Sequence, residues 1–331
     1  MSSQPLGNGH GTGPGIHSRP DSARRTSSES SLAGRDKPPH RHPFQRDLTQ
    51  RRVLFDRGLT ILALTLTFLA LVPLVSVLAL VLARGGAMLG PNLFTDLPPA
   101  AGMPGGGLGN ALLGTLILVT IASALAVPIG LMAAIYLAEV AGPESPIAAF
   151  VSFAAKVLSG LPSILAGVFA FAVVVLTTGG FSAWAGGVAL AMLMIPVITL
   201  TAAEALRAVP RKLREAALGM GATRTQTILQ VVLPTASSGI FTGIMLAVSR
   251  AAGETAPLLF TALFFDYWPE APFTTPIASL AVLIYNFSGV PYPNQIDIAW
   301  AASLVLVVSA LTANIAVRVV AARAPSTQTR R

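Results

Sequence analysis

Two opposite charges stand four residues apart in an otherwise uncharged apolar stretch. They are Arg250 and Glu254 in A-V-S-R-A-A-G-E-T-A-P-L-L-F-T-A, residues 247–262. On a helix, that spacing puts both groups on one face and within reach of each other. A charge left in hydrocarbon costs at least about 2.5–3.5 kcal/mol, so each must face protein, water or the other. A guanidinium stays charged and can grip two oxygens of a tetrahedral oxyanion in a fork, with the Thr255 hydroxyl as a further donor. Two readings are open: a contact along an anion path, or a mutually neutralising pair that locks helices together. The apolar run predicts a span over Ser237–Ala262, with Arg250 about thirteen residues into it and close to the bilayer midplane. Gly253 and Pro257 on either side of the pair favour a bend in the backbone there.

A second patterned stretch, R-E-A-A-L-G-M-G-A-T-R-T-Q-T-I-L-Q-V-V-L-P, runs from Arg214 to Pro234. It is polar and helix-forming, set between apolar segments. Ala216 and Ala217 are small enough for a short helix carrying Glu215 to approach a partner surface closely, and Gly221 permits a tight turn between two helices. Pro234 is placed to open the next helix, where its missing N–H costs little.

Catalytic chemistry is argued against by what the chain lacks. Its three lysines follow Asp36, Ala155 and Arg211 rather than glycine, so no phosphate-binding loop of the G-K-[ST] kind is present. There is no H-E-x-x-H or G-x-S-x-G pattern. All four histidines (His10, His17, His40, His42) fall near the N-terminus, scattered and without carboxylate partners, and read as solvated rather than as metal ligands. The absence of cysteine removes thiolate and disulfide chemistry. No catalytic, cofactor or metal residues are assigned.

The elements that must position these stretches are membrane helices. The chain is 53% hydrophobic and 11% charged, against about 25% charged in soluble domains. Six apolar spans are predicted, approximately Leu59–Leu82, Leu108–Leu137, Ile147–Leu176, Trp184–Leu206, Ser237–Ala262 and Ile298–Val320. Each is long enough to cross a core of about 30 Å. The segment after the fourth span carries Arg207, Arg211, Lys212, Arg214 and Arg224, whereas the loop 264–297 carries Asp266, Glu270 and Asp297 and no Lys or Arg. That asymmetry puts both termini and the Arg214–Pro234 stretch in the cytoplasm. Residues 1–57 hold ten of the 22 Lys and Arg residues and few apolar ones, predicting a disordered cytoplasmic tail able to meet anionic membrane lipid. The positive charge is thus accounted for by topology, and nucleic acid is not an expected partner. Gly239, Gly243, Ala247 and Ala251 recur every four residues, a face for close helix approach. Pro128, Pro162, Pro196 and Pro257 are expected to interrupt helices. No internal repeat of the secondary-transporter kind is evident.

The E-A-A…G stretch, ending in V-x-L-P at Val231–Pro234, resembles the cytoplasmic coupling motif of permeases of binding-protein-dependent ABC importers. R-x-x-G-E-T-A-P-L-L-F-T-A, G-G-L-G-N-A-L-L-G-T at Gly106–Thr115 and the run around Gly130–Glu139 sharpen this to a resemblance to the permeases of bacterial phosphate ABC importers, over about 58–323. The resemblance implies an all-α, six-helix type I importer permease in the bacterial inner membrane: a first helix and outer loop over 58–107, a core over 108–323 with its coupling loop at 207–234, and a short tail at 324–331. It implies a homologous second permease, two ATPase subunits that supply ATP hydrolysis, an extracytoplasmic phosphate-binding protein, and inorganic phosphate as cargo. It carries a phosphate-path role onto Arg250 and Glu254 and an ATPase-docking role onto Glu215, Ala216, Ala217 and Gly221. Some relatives have a basic residue where Leu200 stands, so a second arginine on the path is missing here. Sulfate or molybdate permeases of the same architecture, and an ion-coupled transporter, are the alternatives.

Overall fold

A computed structural model describes residues 51–142 and 144–323. The predicted N-terminal tail up to residue 50, its histidines, and the tail 324–331 lie outside the described residues. Two compact units are distinguished, one ending at Thr65 and the other running from Leu66 to Arg331. In the first, the described part is the start of helix α1 (Arg51–Leu80).

The second unit is helical throughout its described residues, apart from loops. A wide π turn, Val81–Gly85, extends α1, and a short helix α2 (Pro91–Thr95) follows. Then come α3 (Gly109–Ile135) with a π turn to Val140, α4 (Pro146–Gly160), and α5 (Ser163–Ala170) leading through Phe171–Val175 into α6 (Leu176–Thr178). Next are α7 (Ala183–Arg207), α8 (Arg211–Gly219), α9 (Arg224–Gln226), a π turn Thr227–Val232, and α10 (Leu233–Ala252). The chain closes with α11 (Ala256–Leu259), α12 (Leu280–Ser288) and α13 (Pro293–Arg323).

Among the described residues, five helices are long and apolar enough to cross a membrane, and α4 with α5–α6 makes a sixth only as a pair bent by 105°. The span predicted over Ile147–Leu176 is thus a bent pair, broken where Pro162 is expected to interrupt it. Leu161 precedes Pro162 and takes extended backbone at ψ 141°, as a residue before proline prefers. Gly160 adds a weak helix former at the same point. Pro128 and Pro196 instead lie inside α3 and α7 without ending them, so the expectation that all four prolines break helices holds only for Pro162 and Pro257.

Helix α7 is the hub. Two-thirds of its most apolar window is buried, against 6% for the first span. Leu190, Met194 and Ile198 on α7 pack with Leu118, Ala122 and Ala126 of α3, with Ala247 and Ala251 of α10, and with Leu258, Ile277 and Val282. The four-residue face behaves as expected: a methyl added at Gly243 would stand 2.1 Å from the Thr201 hydroxyl of α7, and one at Gly239 2.7 Å from the Ala205 methyl. Below this core, Ala202, Ala203, Leu206 and Val209 meet Ala134, Leu137, Val232, Ala236 and Ile240. Through Val209 and Val232 that cluster anchors the segments flanking α8 to the spans.

Candidate functional site

The Arg214–Pro234 stretch is built around a helix stop. At the end of α8, the Ala222 N–H bonds the Ala217 carbonyl at 3.1 Å and the Gly221 N–H bonds the Leu218 carbonyl at 2.9 Å. This closing pattern needs a residue in the left-handed region, and Gly221 supplies it at φ +90°. A methyl added at Gly221 would meet nothing within 4 Å, so the glycine serves the turn and not packing inside the chain. The next helix begins at once through a capping box. Thr223 Oγ1 accepts from the Gln226 N–H at 3.2 Å, and the Gln226 side chain accepts from the Thr223 N–H at 2.8 Å.

Helix α8 turns Ala217 inward, where it is buried, and leaves Glu215, Ala216 and Met220 on the outside. Met220 is 83% exposed, the most exposed large hydrophobic side chain among the described residues. The two alanines thus differ: Ala217 is held against its own chain, and Ala216 faces outward. Pro234 stands in the first turn of α10, as expected, and the helical run from Arg224 continues into α10 without a break. The π turn Thr227–Val232 just before it loosens the ladder where the proline removes a donor.

An ion pair that the sequence reading did not assign fixes α8 in place. Arg214 donates to both oxygens of Glu139, at 2.6 and 3.2 Å, and to the Leu206 and Val209 carbonyls at 2.8 and 2.5 Å. Arg207 donates to the Leu137 carbonyl at 3.2 Å, and Arg224 to the Glu139 carbonyl. Glu139 ends the motif noted around Gly130–Glu139, but its partner lies 75 residues away, beyond any local spacing rule.

The Arg250–Glu254 pair is present, with Arg250 Nε 3.3 Å from Glu254 Oε1. Its position differs from expectation. Because helix begins at Arg224 and stops at Ala252, Arg250 stands in the last turn of its helix and not halfway along a span over Ser237–Ala262. Gly253 and the donor-less Pro257 make the break, and α11 restarts at Ala256. The cation therefore complements the partial negative charge of a helix C-terminus. Arg250's side chain is 51% exposed and Glu254's 16%. The other guanidinium nitrogens of Arg250 have no partner among the described residues, which leaves a fork open to an oxyanion. Thr255 caps α11 in the break, its carbonyl accepting from Leu258 and Leu259. Alongside, Asn314 of α13 donates to Ser249 Oγ at 2.7 Å. Leu200 is half-buried on α7.

The Gly106–Thr115 motif serves the opposite end of α3. Buried Asn110 donates to the Phe265 carbonyl at 2.8 Å, and Thr115 accepts from the Leu280 N–H at 2.9 Å. These bonds tie α3 to the loop that follows the Arg250–Glu254 break and to the start of α12.

This architecture is that of an ABC importer permease. It superposes with a TM-score of 0.59 and 16% identity on a chain of a bacterial alginate ABC transporter, covering 86% of this chain and all of that one. A chain of the inward-facing MetNI methionine ABC transporter matches at 0.51 and 20% identity, over 66% of this chain and 94% of that one. A family model for the inner membrane component of binding-protein-dependent transport systems matches residues 126–325, and the chain belongs to that family. The phosphate transport system permease protein PstA of Yersinia pestis is 42% identical over 231 residues, 70% of this chain and 78% of the relative. PstA 1 of Mycobacterium tuberculosis strain H37Rv is 36% identical over 285 residues, 84% and 92% of the two chains.

Proposed function

We propose that this chain is a permease subunit of an ATP-driven importer of inorganic phosphate in the bacterial inner membrane. The observation that carries the reading is its similarity over most of its length to phosphate transport permeases, at 42% identity for the Yersinia protein. A soluble phosphate-binding protein would deliver the anion from outside, a homologous second permease would form the other half of the pathway, and two ATPase subunits would supply ATP hydrolysis. Both termini and α8 face the cytoplasm, in keeping with the arginines around α8.

The geometry suits a lever. Glu215, Ala216 and Met220 present the outer face of α8 to the ATPase, while Ala217 and the Arg214–Glu139 pair lock that helix to α3 and α7. Movement of the ATPase then reaches the spans without being absorbed in a slack loop. At the helix break, the exposed fork of Arg250 contacts the moving phosphate, with Thr255 beside it and Glu254 holding the guanidinium in place.

Docking is tested by cross-linking, for which the cysteine-free chain is convenient. Met220→Cys should cross-link to the ATPase with a short bismaleimide, and Phe273→Cys, also well exposed on the loop before α12, should not. Equal cross-linking of both, or of neither, contradicts the docking face. Uptake in cells should be suppressed by excess phosphate and not by sulfate or molybdate; suppression by either of the latter assigns the chain to another oxyanion.

A further inference from the structure

The coupling end holds a cavity of about 540 Å³ lined by Arg207, Arg211, Arg214, Arg224 and Glu139, together with a smaller number of apolar side chains and Thr227. Four guanidiniums against one carboxylate leave three positive charges in excess. The one carboxylate is already taken up by Arg214 on both of its oxygens. Arg207 and Arg224 each use one terminal nitrogen on backbone carbonyls, so the rest of each fork is unoccupied. Arg211 makes no hydrogen bond or ion pair among the described residues. Glu144, Glu204 and Glu215 stand on neighbouring segments, and none of them forms an ion pair among the described residues.

Membrane topology asks for arginines in this loop but not for their convergence on one hollow. Like charges facing a shared cavity repel, and the arrangement is relieved when an anion with several acceptor oxygens enters. A phosphate group is the fitting chemistry: it offers oxygens in a tetrahedral array to several forks at once, and planar guanidiniums match it better than ammonium groups would.

We propose that this cavity is a binding site for a phosphate group, supplied either by free inorganic phosphate or by the headgroup of an anionic phospholipid. The site is distinct from the Arg250–Glu254 break and concerns the chemistry of the hollow alone. It stands whether or not phosphate is what the chain transports. Occupied, it joins the end of α3 through the Glu139–Arg214 pair to α7, α8 and α9, and so stiffens the base of the coupling helix.

The test uses the full-length chain in phosphatidylcholine nanodiscs, with phenylglyoxal modification of each arginine followed by mass spectrometry. Arg211 is read for the cavity and Arg250 for the break. With inorganic phosphate, or with phosphatidylglycerol in the disc, at about ten times the dissociation constant, mass action should slow modification of Arg211 about tenfold relative to chloride at equal ionic strength. Protection by phosphate assigns the free anion, and protection by phosphatidylglycerol alone assigns the lipid headgroup. In the Arg224→Gln variant, and independently in Arg207→Gln, protection of Arg211 should be lost, because the forks act together. No protection by either probe overturns the proposal, as does protection that survives both variants. Protection of Arg250 alone by phosphate overturns it while leaving the transport reading intact.

Discussion

Removing one partner of the Arg214–Glu139 pair should not cost the same as removing the other. Glu139's side chain is 8% exposed, and Arg214 is the only partner of its carboxylate among the described residues. Arg214 is 20% exposed and keeps two carbonyl acceptors, Leu206 and Val209, when the carboxylate is gone. Glu139→Gln leaves a cation that is still hydrogen-bonded and partly wet, and should cost about 2 kcal/mol, the range of a charge-assisted bond. Arg214→Gln leaves a buried carboxylate without a partner, and should cost about 3–5 kcal/mol. The double variant buries no unpaired charge and should be less damaging than Arg214→Gln alone. Reversible unfolding in mixed micelles, taken through the full double-mutant cycle, reads all three values. Equal losses for the two single variants, or a double loss equal to their sum, would refute the idea that this pair anchors α8.

Other consequences follow from the same geometry. Gly221→Ala should lower coupled uptake more than Gly221→Asn, because alanine in the left-handed region costs about 1–2 kcal/mol and asparagine tolerates it; equal loss in ATP-driven uptake assays would instead point to close approach of a partner at that position. Gly221→Leu should uncouple ATP hydrolysis from uptake while the subunit still inserts, and normal values of both would contradict the role of the turn. Arg250→Gln should abolish phosphate uptake, and adding Glu254→Gln should not restore it; substantial uptake by the double variant at matched membrane levels would return the pair to a purely structural role. Gly243→Ala should destabilise the unit by roughly 1–3 kcal/mol through overpacking against Thr201, measured by the same micelle unfolding, and an unchanged stability would show that α7 and α10 can separate freely.

The regular parts of this fold were legible because they follow local rules. The ends of the second and fourth spans, the four-residue stripe Gly239–Ala251 and the turn at Gly221 each rest on residue type and short spacing, and the structure has them where those rules place them. Proline alone does not mark a helix break. Pro128 and Pro196 sit among good helix formers and are absorbed, whereas Pro162 coincides with Gly160 and a chain reversal, and there the helix breaks. Hydropathy places Arg250 halfway along a span because it marks the apolar stretch but not the helix. The Thr223–Gln226 capping box starts the helix in polar sequence, and Gly253 stops it in apolar sequence. The arginine cavity and the Arg214–Glu139 pair were out of reach, since contacts across 75 residues depend on how α3, α7 and α8 come together.

The central claim, that this chain conducts phosphate under the control of a separate ATPase, is tested most directly in proteoliposomes. The chain would be reconstituted with its partner permease, its ATPase and the phosphate-binding protein, and uptake of radiolabelled phosphate followed. Uptake should require ATP and the binding protein, persist when ion gradients are collapsed, and stop when the ATPase is inactivated. Uptake that runs without ATP and disappears with an ion gradient would contradict the account.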